Sequence, residues 1–245
     1  MSERTGPLSL DADLSRVLDS GDFLLGLDFD GTLAPIVEHP DLAVPDPRAV
    51  DLIAALASRD AIEVAVISGR ARSDLQARLG DVKGVVLVGE HGNDMGGATV
   101  PNKVISEAET FIRQLAAEAG GATVEVKPNS VTFHYRHLED EQAEPFLDRI
   151  REWARSHEEI RLLEGKKVIE LTTATSDKGD AIKELAGGRP IVYLGDDVTD
   201  ETVFEVLGPE DVGIKVGEGP TGAPHRVEHV DEVVRILETI ALASR

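Results

Sequence analysis

The chain has 245 residues, 41% of them apolar and only 4% aromatic, which suffices for one large domain or two modest ones with an aliphatic core. Lysine and arginine number 25 against 46 aspartates and glutamates, a formal net charge of −21. So acidic a surface excludes nucleic acid and anionic membranes as partners, and the absence of cysteine excludes disulfides, thiolate catalysis and cysteine-based zinc sites.

A phosphorylated ligand would also be repelled at long range, so a phosphate site here needs local cations and a metal. No stretch approaches the roughly 20 apolar residues of a membrane span. The first residues are acidic and lack a long apolar run, so no secretory leader is read. A cytoplasmic monomer is expected. The excess acid also suggests, as a hypothesis, adaptation to a high-salt interior; a melting temperature that does not rise in molar salt would count against it.

Residues 10–19 read as a short amphipathic helix with Leu10, Leu14, Val17 and Leu18 on one face. Residues 23–27 are a continuous apolar run, the pattern of a strand buried on both faces in a parallel sheet. The run stops at Asp28-Phe29-Asp30-Gly31-Thr32, which places two carboxylates at the carboxyl end of a buried strand. In open α/β sheets ligands bind at that end. Taken alone, the two aspartates read equally well as turn and cap residues.

An extended loop is expected over 36–45, then a helix capped by Asp46 with Pro47 in its first turn and Val50, Ile53, Ala54 and Leu56 on its apolar face. A second buried strand, 63–67, ends at Ser68-Gly69-Arg70, and a helix follows over 71–79. A third, 85–88, ends at Gly89-Glu90-His91-Gly92. Apolar strands alternating with helices imply a parallel sheet with right-handed crossovers. All these polar clusters should then open on one edge.

The rhythm changes after Gly92. Residues 93–102 look like a linker. A helix (104–119), two strands (123–127 and 131–135), a second helix (139–157) and two more strands (160–163 and 168–171) follow. This αββαββ order describes an α+β layer with two hairpins. The βα rhythm then returns: a helix at 177–185 opening on Lys178-Gly179, a strand at 190–194 ending in Gly195-Asp196-Asp197-Val198-Thr199-Asp200, a helix at 201–207, a strand at 212–216, and a last helix at 230–242. The fold class is α/β: a doubly wound, Rossmann-like parallel-sheet core, residues 1–101 and 175–245, with an inserted α+β lid domain, residues 102–174. Hinges are expected near Asn102 and over 173–177.

The strand ends offer carboxylates for a hard cation, with a hydroxyl (Ser68) and an ammonium (Lys178) for an anion. Mg²⁺ takes oxygen ligands and keeps waters and a substrate phosphate oxygen. Phosphoryl transfer needs an in-line nucleophile and neutralised equatorial oxygens. A carboxylate nucleophile gives an aspartyl phosphate, and a second acid can protonate the leaving oxygen and then activate water.

In this order the motifs resemble those of phosphatases of the haloacid-dehalogenase superfamily: Asp28-Phe29-Asp30-Gly31-Thr32-Leu33, Ser68, Lys178 and Gly195-Asp196-Asp197-x-x-Asp200. The resemblance implies Asp28 as nucleophile, Asp30 as general acid and base, and Ser68 and Lys178 as phosphate ligands. It implies Mg²⁺ on the Asp28 side chain, the Asp30 carbonyl and Asp196, with Asp197 and Asp200 just outside the ligand set. Ser68-Gly69-Arg70, His91-Gly92, Lys178-Gly179 and GDDxTDE in the core closely resemble the trehalose-6-phosphate phosphatase family, as do Glu125-x-Lys127, His134-Tyr135-Arg136 and Gly165-Lys166 with Glu170 in the lid. By that resemblance Glu125, Lys127 and Glu170 contact sugar hydroxyls, and Gly69, Arg70 and His91 line the core side of the pocket. The substrate implied is a small sugar phosphate. Rival substrates within the class are sucrose, mannosylglycerate and glucosylglycerate phosphates, and a phosphosugar mutase is a further alternative. The chain departs from the family pattern at Glu90 and Asn93-Asp94, and at Leu171-Thr172-Thr173, where Val-Arg-Pro is usual.

The bland readings stand beside these. Glu125, Lys127 and Glu170 lie on strand faces and could simply be solvated. His91 reads equally as a hydrogen-bonded turn histidine, and His134 reads as structural. A receiver-like phospho-binding module would also set acids, a hydroxyl and a lysine at strand ends. Receivers, however, are single domains of about half this length without a lid.

Overall fold

The computed structural model describes residues 9–37, 39–96, 103–165, 167–173 and 176–243. In chain order, α1 (Leu10–Ser20) is capped by the Ser9 hydroxyl, which accepts from the Ala12 amide, and buries Leu14 and Val17. β1 (Phe23–Leu27) is buried throughout. α2 (Pro47–Ala57) starts as its sequence dictates: Asp46 accepts from the Arg48 amide, and Pro47 sits where no intrahelical N–H is needed. β2 (Ile62–Ile67), α3 (Arg72–Leu79) and β3 (Val85–Val88) follow, then α4 (Lys103–Ala119), β4 (Thr123–Lys127), β5 (Ser130–His134), α5 (Asp140–Arg155), β6 (Arg161–Gly165) and β7 (Val168–Thr172). The chain closes with α6 (Lys178–Ala186), β8 (Ile191–Gly195), α7 (Glu201–Val206), β9 (Val212–Val216), β10 (His225–Val227) and α8 (Val230–Ala243). The chain forms two compact units, Met1–Gly96 with Ser176–Arg245, and Gly97–Thr175.

The first unit holds a six-stranded sheet in the order β10-β9-β8-β1-β2-β3, parallel at every pairing. β1 is central, so both its faces are dry. Phe23, Leu25 and Leu27 pack with Leu14 of α1, Ile53 of α2 and Val233 of α8. Leu24, on the other face, packs with Ala181 and Ile182 of α6 and Phe204 of α7. Each buried leucine contributes about 1.5–3 kcal/mol, which is why a short run without polar interruption is enough to set the centre of the sheet. The chain leaves β1 toward β2 and β3, and later continues from β8 toward β9 and β10. The direction of winding reverses between β1 and β8, and crevices form at such points.

The second unit is a four-stranded antiparallel sheet, β4-β5-β7-β6. Val131, Phe133, Ile169 and Leu171 turn one face onto Ile112 and Leu115 of α4 and Leu147 and Ile150 of α5. The other face is polar. Cross-strand register sets Glu125, Thr132, Glu170 and Leu163 in one row, and Lys127, Ser130, Thr172 and Arg161 in the next.

Differences from the sequence expectation are local. β10 is an additional edge strand whose three residues are too few to carry a periodicity. The lid helix expected over 139–157 is shorter, because Glu139 and Ser156 act as its caps. The strand expected at 160–163 runs instead over Arg161–Gly165, paired along its length with β7. The loop over 36–45 contains one turn of 3₁₀ helix at Pro40–Leu42. The hinge expected near Asn102 falls outside the described residues, as does Lys166. No helix among the described residues is long and apolar enough to cross a membrane.

Candidate active site

The register of β1 carries the site. Leu27 is level with Leu194 of β8, and the next amide, that of Asp28, donates to the Leu194 carbonyl at 2.9 Å. Asp28 therefore leaves the sheet at the reversal point, beside Asp196, which follows Gly195. The loop then folds tightly: the Leu33 and Ala34 amides both donate to the Phe29 carbonyl at 2.9 Å. Gly31 in this loop has φ +80°, and a Cβ there would lie 1.9 Å from Asp196 Oδ2. Only glycine lets the Asp196 carboxylate lie against the loop.

Lys178 enters from the first turn of α6, where Asp177 and Asp180 form a capping box. Its buried ammonium lies 2.7 Å from Asp28 Oδ1 and 2.7 Å from Asp200 Oδ1. Asp200 Oδ1 also accepts from the Tyr193 hydroxyl at 2.7 Å, and Oδ2 accepts from the Asp197 amide at 2.9 Å. Tyr193 reaches Asp200 by passing β1 at Gly26, where a Cβ would stand 2.6 Å from the ring. On the far side, Lys215 of β9 is 3% exposed and its ammonium donates to the Asp196 carbonyl.

Carboxylate oxygens of Asp28, Asp196 and Asp200 fall within 4.8 Å of one another. At that separation two charges repel by about 3 kcal/mol for an effective dielectric of about 20. Burial, and then Asp200 and Asp196, push the Asp28 carboxyl well above the ordinary range against the pull of Lys178. Burial, then Asp200 and Asp197, push Asp196 up to about 6. Burial alone would lower Lys178, but Asp28 and Asp200 outweigh it and hold the ammonium charged. Burial and the same carboxylates raise Tyr193, which stays a donor. An all-oxygen carboxylate set with surplus charge fits a hard divalent cation, whose charge would relieve the repulsion.

Asp30 is held from the turn after β2. Arg70 holds its carboxylate with two bonds, Nε to Oδ2 at 2.6 Å and Nη2 to Oδ1 at 2.7 Å. Arg70 lies 5.3 Å above the Phe29 ring and gives its third contact, at 2.7 Å, to Asp74. Arg78 grips Asp74 at 2.8 Å and the Ala43 carbonyl at 2.7 Å, so one ionic chain ties the Asp30 loop to its flank. Burial opposes ionisation of Asp74, but Arg78 and Arg70 outweigh it and hold its carboxyl below the ordinary range.

The Ser68 hydroxyl, buried at the end of β2, accepts from the Arg70 amide at 3.2 Å. The His91 amide donates to the Ser68 carbonyl at 2.9 Å and the Glu90 amide to the Arg70 carbonyl at 3.0 Å, which stitches the turns after β2 and β3 together. A Cβ on Gly69 would lie 2.4 Å from the His91 ring, so the imidazole rests on that glycine. Glu90 and His91 both take left-handed φ, 52° and 55°. Asn93 binds the Glu90 carbonyl at 2.8 Å and both backbone groups of Ser176, anchoring the turn where the chain re-enters this unit.

Asp28, Lys178, Asp196 and Asp200 thus come together, while Ser68, Gly69, Arg70 and His91 form the adjoining rim. Asp197 turns its Oδ1 to the Val198 amide at 2.6 Å. Sequence reasoning missed Tyr193, Asp74 and Lys215. For Lys215 a signal existed: an ammonium within the apolar run Val212–Val216 must find a partner. In the second unit, Glu125 Oε2 lies 3.0 Å from His134 Nε2, and Glu125 Oε1 lies 3.7 Å from Lys127 Nζ. Glu170 stands in the same row as Glu125, with Thr132 between them.

Fold and site together define the class: a doubly wound α/β protein with a carboxylate and ammonium cluster at the sheet's reversal point and an antiparallel α+β unit inserted in it. The chain belongs to the trehalose-phosphatase family, whose model matches residues 26–233. It is 35% identical over 232 residues to the bifunctional trehalose-6-phosphate synthase/phosphatase of Thermoproteus tenax, covering 89% of this chain and 32% of that protein. It is 33% identical over 240 residues to the trehalose-phosphate phosphatase of Mycobacterium tuberculosis, covering 87% and 60%. The chain therefore spans less than two thirds of either relative. Trehalose-phosphate phosphatase, as the second is named, denotes a phosphoric monoester hydrolase. Among solved structures, a trehalose-6-phosphate phosphatase related protein superposes with a TM-score of 0.72 at 29% identity, covering 89% of this chain and 97% of the other.

Proposed function

We propose that this protein is a Mg²⁺-dependent phosphatase that hydrolyses trehalose 6-phosphate to trehalose and phosphate through an aspartyl-phosphate intermediate. The observation that carries the reading is the buried Lys178 bridging Asp28 and Asp200 beside Asp196, in a chain of this family. Lys178 fixes Asp28 by Oδ1, and the other carboxylate oxygen is the nucleophile. As the oxygen–phosphorus bond to Asp28 forms, the bond to the sugar oxygen breaks, and that oxygen takes a proton from Asp30. Water then attacks phosphorus and gives a proton to Asp30, and the bond to Asp28 breaks. The balance is one ester and one water to one alcohol and one phosphate.

Ser68 and Lys178 hold phosphate oxygens throughout. Arg70 sets the orientation of Asp30 and, with Gly69 and His91, lines the substrate side. Mg²⁺, on the Asp28 side chain, the Asp30 carbonyl and Asp196, with Asp197 and Asp200 alongside, would neutralise charge on the phosphoryl group. Residues 1–101 and 175–245 are the catalytic core and 102–174 the lid, in which Glu125, Lys127 and Glu170 contact sugar hydroxyls. The protein acts as a cytoplasmic monomer on a small molecule.

The test is phosphate release from trehalose 6-phosphate, sucrose 6-phosphate, glucose 6-phosphate and the mannosyl and glucosyl 3-phosphoglycerates, with Mg²⁺ and with EDTA. Preference for trehalose 6-phosphate that disappears in EDTA is expected. Metal-dependent release from another member would keep the chemistry and replace the substrate. Release from none would return the site to a phospho-binding module.

A further inference from the structure

Lys215 has no place in the reaction just described, yet it occupies an expensive position. It is paired in register with Gly195 inside a strand buried from end to end. Taking an ammonium out of water is strongly unfavourable unless it is bonded, and an apolar residue of the same size would suit this strand better. What the lysine obtains is a charge-assisted hydrogen bond to the Asp196 carbonyl.

That carbonyl belongs to a residue with little slack. The Asp196 carboxylate is pressed against Gly31 so closely that no side chain fits between them. It also stands among the like charges of Asp28 and Asp200, which push it outward. Asp196 follows the last residue of β8, beyond the sheet ladder that would otherwise hold its backbone. Lys215 supplies the missing tether from the neighbouring strand. It acts on the backbone, so the carboxylate oxygens stay available.

We propose that Lys215 is a positioning residue for the divalent-cation site, holding the Asp196 backbone so that its carboxylate meets the cation without moving. The cation site itself rests on the function proposed above. Lys215 touches neither substrate nor reacting atoms.

The test is Lys215→Met, which keeps the length and removes the ammonium, with Mg²⁺ binding measured calorimetrically in the absence of substrate. The expected result is Mg²⁺ affinity lowered about tenfold or more, the worth of one charge-assisted bond. A comparable fall in kcat, sugar-phosphate KM within about threefold and a melting temperature within a few degrees of the wild type should accompany it. Unchanged affinity with a lowered melting temperature would make Lys215 purely structural and overturn the proposal. Affinity that rises would make its role simple charge repulsion and overturn it as well. If the methionine variant does not fold, Lys215→Gln is read by the same criteria. Wild-type protein that binds Mg²⁺ while the variant binds it equally refutes this inference alone; wild-type protein that binds none refutes the proposed function with it.

Discussion

Replacing Tyr193 by Phe removes one oxygen and tests how the charged group is held. The ring stays: it packs past Gly26 and meets Phe204 edge-on, with centroids 5.9 Å apart. What is lost is the 2.7 Å bond to Asp200 Oδ1, in a place with no access to water. Oδ1 keeps Lys178, and Oδ2 keeps the Asp197 amide. A hydrogen bond to a charged group contributes about 1.5–3 kcal/mol. In a domain of this size each kcal/mol moves the melting temperature by about 2–4 °C. The variant should therefore melt roughly 3–12 °C lower. The assay is thermal or urea unfolding of both proteins in EDTA. Loss of less than about 0.5 kcal/mol, the scatter of ordinary surface substitutions, would mean that Asp200 is not held by the phenol and would refute the reasoning.

Other outcomes follow from the same geometry. Asp28→Asn should abolish phosphate release, by at least about a thousandfold, while stability changes little, since the change removes a charge that the buried group disfavours; an active variant would sink the proposed mechanism. The folded-state value of Asp196 lies near 6, above its unfolded value, so its contribution to stability is full in acid and is lost as pH rises through about 6. Melting temperatures of the metal-free protein should fall from about pH 4 to about pH 6 and level off above, and Asp196→Asn should flatten the trend; a flat wild-type profile across that range would contradict it. Glu125→Ala and Glu170→Ala should raise KM for the sugar phosphate about tenfold, with the Mg²⁺ isotherm and the fold unchanged, because both stand on the polar sheet face away from the helices. Unaltered kinetics would leave those residues as solvated surface.

Much of this is legible in the sequence alone. β1, β2, β3, β8 and β9 announce themselves as short apolar runs, because a strand dry on both faces admits a polar residue only where it finds a partner. The helix at Pro47–Ala57 is marked by its cap, Asp46, and by Pro47 in its first turn. Asp28 and Asp196 are placed by the ends of those runs, and the alternation along β4, β5 and β7 sorts Glu125, Lys127 and Glu170 onto one face. These are local matters, decided by period and by where a run stops. Other features arise only when distant segments meet. That Tyr193 serves Asp200 depends on a glycine in β1. That Asp30 is gripped by Arg70 depends on β2 lying beside β1. That Lys215 tethers Asp196 depends on β9 lying beside β8. Which donors Asp28, Asp30 and Asp196 find is set by strand order and register, which come from long-range packing of the whole core, and no short window of sequence contains both partners.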